Sequence, residues 1–140
     1  KGATPILVSL TPRNEWPGGK AERRNNSYGK WLNEVVKETG VEFVDMHNIS
    51  ADFLDSQFAN EKEYNKYNEK SKKYAAKGKE AKAKEAKEMA REVVAECKNQ
   101  AWKYFKKDHT HTSIEGARMN AQSFAKGLRE NGSELAKYLK

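Results

Sequence analysis

The chain has 140 residues, the size of one ordinary domain, and its 27 basic and 20 acidic side chains leave a formal net charge of +7. A single cysteine excludes an internal disulfide framework and a thiolate metal cluster. No apolar run approaches the roughly 18–20 residues of a membrane-spanning helix, so the sequence offers no transmembrane segment.

The first third of the chain alternates between strand and helix patterns. A nearly continuous apolar run over residues 5–10 predicts a strand buried on both faces, and residues 41–46 predict a second. Between them, helical spacing of apolar residues predicts a helix over 27–39 that ends at Gly40 and places Trp31 in the core. Strand, helix and strand in this order form half of an open α/β sheet with parallel strands.

Residues 51–105 have a different composition, which predicts helix. Ala, Lys and Glu dominate residues 75–95, and only Gly78 interrupts them. An apolar stripe with a spacing of four appears towards the end, so we expect the last turns to dock on the body: Met89, Val93, Cys97, Ala101 and Phe105. Cys97 is predicted to be a small buried hydrophobic residue.

The positive charge is confined to this helical region. Residues 61–107 hold 15 basic and 8 acidic side chains, while the other 93 residues balance to zero. Such a segment could bind a polyanion in a salt-dependent way. However, its Glu residues are interleaved with Lys, and its tyrosines precede the most basic part, so we expect a solvated helix and no nucleic-acid or membrane partner. A non-enzymatic module that contacts polyanions through this helix remains the alternative function.

A final helix is predicted to begin at Thr112 or Ser113. The residues Thr112-Ser113-Ile114-Glu115 fit a capping box, and Asn131-Gly132 would end the helix before a short helical segment over 133–139. Its apolar positions predict the buried face: Ala117, Ala121, Phe124, Ala125 and Leu128.

One dense polar cluster, residues 107–113, lies on the loop before that helix. An Asp and a His three positions apart on a turn can pair so that the carboxylate accepts from Nδ1, which leaves Nε2 free as a general base. Two other interpretations remain open at this point. Asp108 could simply cap the turn, or Asp108, His109 and His111 could bind a metal with a further ligand from elsewhere.

This cluster carries a resemblance to a known family. Residues 108–113, Asp-His-Thr-His-Thr-Ser, followed by Glu-Gly-Ala at 115–117, resemble the last block of the GDSL/SGNH hydrolase superfamily. Within it, they look most like carbohydrate esterases of the rhamnogalacturonan-acetylesterase type. The strand-like segments 6–16 and 41–45 are similar to two late strands of that family, so the resemblance covers about residues 1–52 and 100–130.

The resemblance implies a fold, a reaction and residue roles. The fold would be the C-terminal part of a flavodoxin-like three-layer α/β domain spanning 1–140, with a helical insertion over about 53–105. Asp108 would be the orienting acid and His111 the general base of a serine esterase that removes O-acetyl groups from rhamnogalacturonan or a similar plant cell-wall polysaccharide. No metal or organic cofactor is implied, and the substrate implies a secreted or periplasmic protein.

Three further residues are candidates for substrate binding. Arg13 and Trp16 follow a predicted strand, where a guanidinium and an aromatic face could hold an acidic sugar. His109 matches a family position whose role is less clear. His47 also follows a strand, but we favour a structural role for it.

The family's nucleophile is absent from this sequence. Such enzymes need a Ser in a Gly-Asp-Ser block, then a Gly and an Asn for the oxyanion hole, and none of these blocks occurs here. Ser56 of the Asp55-Ser56 pair falls in a helical pattern, and Ser113 is predicted to be a helix cap. We therefore expect an inactive C-terminal part that needs the N-terminal part of its domain as a partner, or a homo-oligomer to cover its exposed faces.

Overall fold

The computed structural model describes residues 2–23, 28–108 and 110–140, and helices dominate this part of the chain. The regular elements are β1 (Ile6–Val8), α1 (Tyr28–Thr39), β2 (Glu42–Val44), α2 (Met46–Phe58), α3 (Glu61–Ala76), α4 (Glu80–Ala101) and α5 (Ile114–Glu130). Short 3-10 turns lie at Pro17–Gly19, Trp102–Tyr104 and Glu134–Tyr138. No helix of the described residues has the length and apolar character to cross a membrane.

The two strands form one small parallel sheet. β1 pairs with β2 with Leu7 opposite Phe43, and α1 connects them, so the predicted strand–helix–strand unit with parallel strands is confirmed. Among the described residues the sheet has two strands of three residues each, and these residues form no flavodoxin-like sheet. The expectation of strands buried on both faces is wrong, because only Val44 is fully buried and β1 is half-buried throughout.

The connecting helix α1 is present but unburied. None of its residues is buried, and Trp31 is 55% exposed, which corrects its predicted place in the core. Tyr28 and Trp31 contact each other edge to face, and Val35, one turn further along the same face, is also exposed. Of the apolar positions predicted for α1, Leu32 and Val36 are half-buried, whereas the strip of Tyr28, Trp31 and Val35 is left largely exposed by the described part of the chain.

The basic region folds into a helical hairpin. α3 and α4 pack against each other over much of their length, and the chain reverses at Gly78, which has a φ of +65°. The glycine that interrupts the Ala/Lys/Glu run is thus a turn, because glycine adopts a left-handed backbone without steric cost. The Ser71 hydroxyl on α3 donates to the Ala83 carbonyl oxygen on α4 at 2.8 Å and joins the two helices near this turn.

The end of α4 docks on the body as predicted. Its apolar stripe enters the main hydrophobic cluster, together with residues from the loop after β1, from α2 and from α5: Trp16, Ala21, Ala51, Leu54, Val93, Cys97, Ala101, Phe105 and Met119. Met89, one step earlier in the stripe, is half-buried between the hairpin helices. Cys97 is confirmed as a buried residue, and burial raises the pKa of its thiol.

The predicted buried face of helix α5 is confirmed only at Leu128, and Phe124 and Ala125 are half-buried. Its buried residues are Gly116, Met119, Asn120, Ser123, Gly127 and Leu128, whereas Ala117 and Ala121 are exposed. A Cβ at Gly116 would lie 1.9 Å from the Tyr104 carbonyl oxygen, and one at Gly127 would lie 2.6 Å from Val44 Cγ1. Neighbouring atoms approach the α5 backbone closely at these two glycines, so the glycines determine which face of α5 is buried. A pattern of apolar side chains does not reveal such a contact. The predicted end at Asn131-Gly132 and the short helical segment beyond it are confirmed.

Candidate active site

The candidate acid and base lie on a loop whose two ends are held together. Phe105 and Thr112 form an antiparallel bridge, and the Lys106 N–H donates to the His111 carbonyl oxygen at 2.7 Å. The Phe105 side chain is buried in the main cluster, so the loop is anchored to the core between α4 and α5. Both site residues therefore stand on a short closed loop and not on a free segment.

Asp108 and His111 are in direct contact. His111 Nδ1 lies 2.6 Å from Asp108 Oδ2, which confirms the predicted reach between the two side chains. The other carboxylate oxygen, Oδ1, accepts the backbone N–H of His111 at 2.9 Å and that of Thr110 at 3.1 Å. An ionised carboxylate only accepts hydrogen bonds, so Nδ1 carries the proton in this pair. The Nε2 atom forms no hydrogen bond with any described residue.

The environment of the pair favours the charged carboxylate. The pKa of Asp108 is well below its usual range because the backbone N–H of His111, the His111 ring and the Thr110 N–H all donate to the ionised form. Both side chains are solvent-exposed, His111 by 73% and Asp108 by 54%. The arrangement can hold an imidazole in one tautomer and one orientation, but the described residues build no wall that would exclude water from it.

The serine beside this pair is a helix cap. Ser113 Oγ accepts the Gly116 N–H at 3.1 Å and donates to the Lys103 carbonyl oxygen. The cap is thus Ser113 and not Thr112, and Glu115 stands too early in the helix for the predicted capping box. The other candidate, Ser56, donates to the Phe53 carbonyl oxygen at 2.7 Å, as its helical position predicts.

Two of the predicted substrate-binding residues, Arg13 and Trp16, lie on the loop after β1. Trp16 is only 2% exposed, and its Nε1 donates to Asn14 Oδ1 at 2.8 Å, so the ring packs in the core and the prediction of a sugar-facing ring is wrong. The loop buries Trp16 because its Nε1–H finds a partner there and its ring fills the main cluster. Arg13 is half-buried on the same loop. His109 lies outside the described residues.

A second polar group lies where the two strands end, and sequence analysis did not connect its members. Ser9 Oγ donates to Asp45 Oδ1 at 3.1 Å and accepts the His47 backbone N–H at 2.7 Å. Asp45 also caps α2 by accepting the Asn48 N–H at 3.2 Å. His47 is buried, with Nε2 at 3.1 Å from the Glu22 carbonyl oxygen. These hydrogen bonds tie the end of β1 to the start of α2, and the burial of His47 agrees with the structural role that we favour for it.

A cavity of about 340 Å³ lies between α2 and α5, apart from the Asp108–His111 pair. Its walls combine apolar and polar side chains from the two helices: Ile49, Asp52, Phe53, Ser56, Met119, Gln122, Ser123 and Lys126. Two buried side chains beside it, Ser50 and Asn120, are hydrogen-bonded to each other at 3.2 Å and join the helices. Neither Asp108 nor His111 lines this cavity.

Neither a search for metal sites among the described residues nor comparisons with known proteins point to a further site. Among the described residues, no group of three or more His, Cys, Asp and Glu side chains is arranged to hold a metal ion. Comparisons of the chain with protein-family models, curated proteins and solved structures found no match.

Proposed function

We propose that this chain supplies the acid and base of a serine esterase that removes O-acetyl groups from rhamnogalacturonan or a similar plant cell-wall polysaccharide. The nucleophilic serine and the oxyanion-hole donors would come from an N-terminal part of the same flavodoxin-like domain, and the enzyme would be secreted or periplasmic. The observation that carries this proposal is the 2.6 Å contact between Asp108 Oδ2 and His111 Nδ1. The resemblance of residues 108–113 to the last block of GDSL/SGNH esterases supplies the reaction class.

The geometry of Asp108 and His111 suits two of the three members of a Ser–His–Asp triad, the acid and the base. Asp108, kept ionised by two backbone N–H groups, fixes the proton on Nδ1 and stabilises the imidazolium that forms when Nε2 accepts a proton. His111 Nε2 would take the proton of the incoming serine hydroxyl as it attacks the acetyl carbonyl carbon. The protonated ring would then return that proton to the sugar oxygen that leaves. In the second half-reaction the same nitrogen would deprotonate a water molecule that releases acetate from the serine.

The chain alone should have little esterase activity. Donors aimed at the developing oxyanion supply a large share of the rate in acyl transfer. Ser113, the serine near the pair in the described part of the chain, is engaged as the cap of α5. We therefore expect no turnover of 4-nitrophenyl acetate by the isolated chain, and turnover once the proposed N-terminal part with the serine and the oxyanion-hole donors is added or fused.

Variants of the complete enzyme test which residues carry the reaction. His111→Ala should lower kcat by about 10³-fold or more, and Asp108→Asn should have a comparable effect because it removes the carboxylate that fixes the tautomer. Thr110→Ala is the matched control, since its backbone N–H still donates to Asp108 and activity should stay within about twofold. An inactive complete enzyme, or full activity in His111→Ala, would remove the esterase proposal.

A further inference from the structure

The helical hairpin separates its charges along its length. We call residues 70–84, which surround the turn at Gly78, the hairpin tip, and we call 61–69 together with 85–101 the hairpin base. The tip contains seven Lys and one Glu, a net charge of +6, whereas the base contains five basic and seven acidic residues, a net charge of −2. The fold-back at the turn brings lysines from both helices together, so nearly all of the protein's net charge is concentrated at one end of the hairpin.

The tip lysines are exposed, and acidic side chains do not neutralise them. All seven are solvent-exposed: Lys70, Lys72, Lys73, Lys77, Lys79, Lys82 and Lys84. None of them takes part in the ion pairs between described residues, although the base has Lys66–Glu63 at 2.7 Å and Arg91–Glu88 at 2.9 Å. Uncompensated like charges raise the free energy of the free protein and favour an anionic partner.

The tip also projects beyond the hydrophobic core. The main cluster and the residues packed on it include Tyr64 and Tyr67 from α3 and Val93, Val94 and Cys97 from α4, but no residue of the tip. At 1.5 Å per residue, the 22 residues of α4 span about 33 Å, so its first turns stand well away from the body. A long partner can therefore contact the tip lysines without meeting the rest of the fold.

The tyrosines near the tip are engaged with lysines. Lys70 Nζ lies 5.7 Å from the ring centre of Tyr67, and Lys82 Nζ on α4 lies 6.0 Å from the ring centre of Tyr74 on α3. A lysine from the same helix thus lies over Tyr67, and a lysine from the facing helix lies over Tyr74. Both rings are half-buried and have ammonium groups over their faces, so they are poorly placed to stack on nucleic-acid bases.

We propose that the hairpin tip binds a carboxylated polysaccharide, a polymer of uronic acids, and holds the protein on it through ammonium–carboxylate contacts. This proposal rests on the proposed function, whose substrate class is an acidic cell-wall polysaccharide. Every cation of the tip is Lys and none is Arg, the residue that grips phosphate with a planar pair of donors. Point charges of this kind suit repeated carboxylates along a flexible chain and provide little base or phosphate readout.

Binding to an immobilised polyuronate tests the proposal with the 140-residue chain as it is. We expect the chain to bind polygalacturonate at low ionic strength, to release it as salt is added, and to ignore the fully methyl-esterified polymer, which has the same backbone without charge. No binding to polygalacturonate at low salt would overturn the proposal. Equal or tighter binding to duplex DNA would also overturn it, in favour of a nucleic-acid partner.

Charge-neutralising variants locate the contact. The triple variant Lys73→Gln, Lys77→Gln, Lys79→Gln removes three exposed charges, one on α3 and two in the turn between the helices, and Gln has a helix propensity similar to that of Lys at position 73. If each contact contributes a factor of about two to four, binding should weaken about tenfold or more. The control variant Lys30→Gln, Lys37→Gln, Lys140→Gln removes the same charge far along the chain from the hairpin, and its affinity should stay within about twofold of the parent. Equal losses in both variants would overturn the assignment to the tip.

The assay separates this inference from the esterase proposal because it needs neither the serine nor an N-terminal part. Loss of polyuronate binding with an active complete enzyme would remove the tip's role alone. An inactive complete enzyme would remove the esterase proposal, whatever the outcome of the binding measurement.

Discussion

Asp108 is held by groups that all come from within three positions of it in the sequence. Two backbone N–H groups and one imidazole nitrogen surround its carboxylate, and the loop that carries them is closed by the bridge between Phe105 and Thr112. Because all of these contacts are local in the sequence, the pair could be predicted from an i, i+3 spacing. This locality also means that the pair can form without the rest of an active site, so geometry alone does not make it a catalyst.

The cause of the low Asp108 pKa leads to a prediction. The His111 backbone N–H contributes most, followed by the His111 ring and the Thr110 N–H. In His111→Ala the two backbone donors remain, so the Asp108 pKa should rise only part of the way towards the ordinary Asp value of about 3.9. Carbon NMR of the Asp108 carboxyl group during a pH titration measures both values. If the Asp108 pKa of the unmutated chain has the ordinary value, the loop does not hold Asp108 and His111 together in solution.

The same shift fixes the direction of a pH effect on stability. Because the folded pKa of Asp108 lies below the unfolded one, its contribution to the free energy of unfolding is complete above about pH 3.9. That contribution is lost as the pH falls from there through the folded pKa. Both side chains are exposed, so solvent screens their interaction. The loss of stability caused by Asp108 should therefore be a small part of the total loss during acid unfolding.

At the scale of elements, one carboxylate fastens the loop after β1 to α2. Asp55 Oδ1 accepts the Ala21 N–H at 2.7 Å, and Oδ2 accepts from the Arg23 guanidinium at 2.5 Å. The Asp55 side chain is 14% exposed, whereas Asp52, which contacts the same guanidinium at 2.8 Å, is 70% exposed. The two aspartates therefore share a partner but differ in burial.

This difference predicts unequal losses of stability. Asp55→Ala leaves a buried N–H and part of a guanidinium without their acceptor, so the free energy of unfolding should fall by about 2–3 kcal/mol. Asp52→Ala removes an exposed ion pair and should cost less than about 1 kcal/mol. Urea unfolding of both variants at neutral pH measures the two values. Similar losses would mean that the loop is held mainly by other contacts, such as the buried Trp16.

Elements with a local signal were predicted from the sequence, and those set by packing were not. The strands, the end of α1 at Gly40 and the docking of the Cys97 stripe follow from short patterns of apolar residues and turn formers. The hairpin was missed because Ala, Lys and Glu favour helix on both sides of Gly78, and one glycine is compatible with a helix or a turn. The cavity between α2 and α5 joins residues some 70 positions apart in the sequence, and no local pattern reports such a contact.

At the scale of the whole molecule, an exposed apolar strip and a cluster of exposed lysines lie on separate elements. α1 presents Tyr28, Trp31 and Val35 to solvent, while the hairpin tip presents its lysines. Exposed apolar strips such as that of Tyr28, Trp31 and Val35 are typical contact surfaces. In the proposed complete domain, the N-terminal part would cover the α1 face.

The isolated chain has only another copy of itself to cover that face, which gives a prediction about its assembly. We expect concentration-dependent association of the 16.0 kDa chain in sedimentation experiments at micromolar concentrations and moderate salt. Trp31→Lys places a charge in the centre of the apolar face and should shift the chain towards monomer. Asn33→Lys adds the same charge away from Trp31 around the helix and should leave association unchanged, so that the added charge itself is controlled. A parent chain that sediments as a monomer throughout, or two variants that behave alike, would show that the Trp31 face does not mediate association.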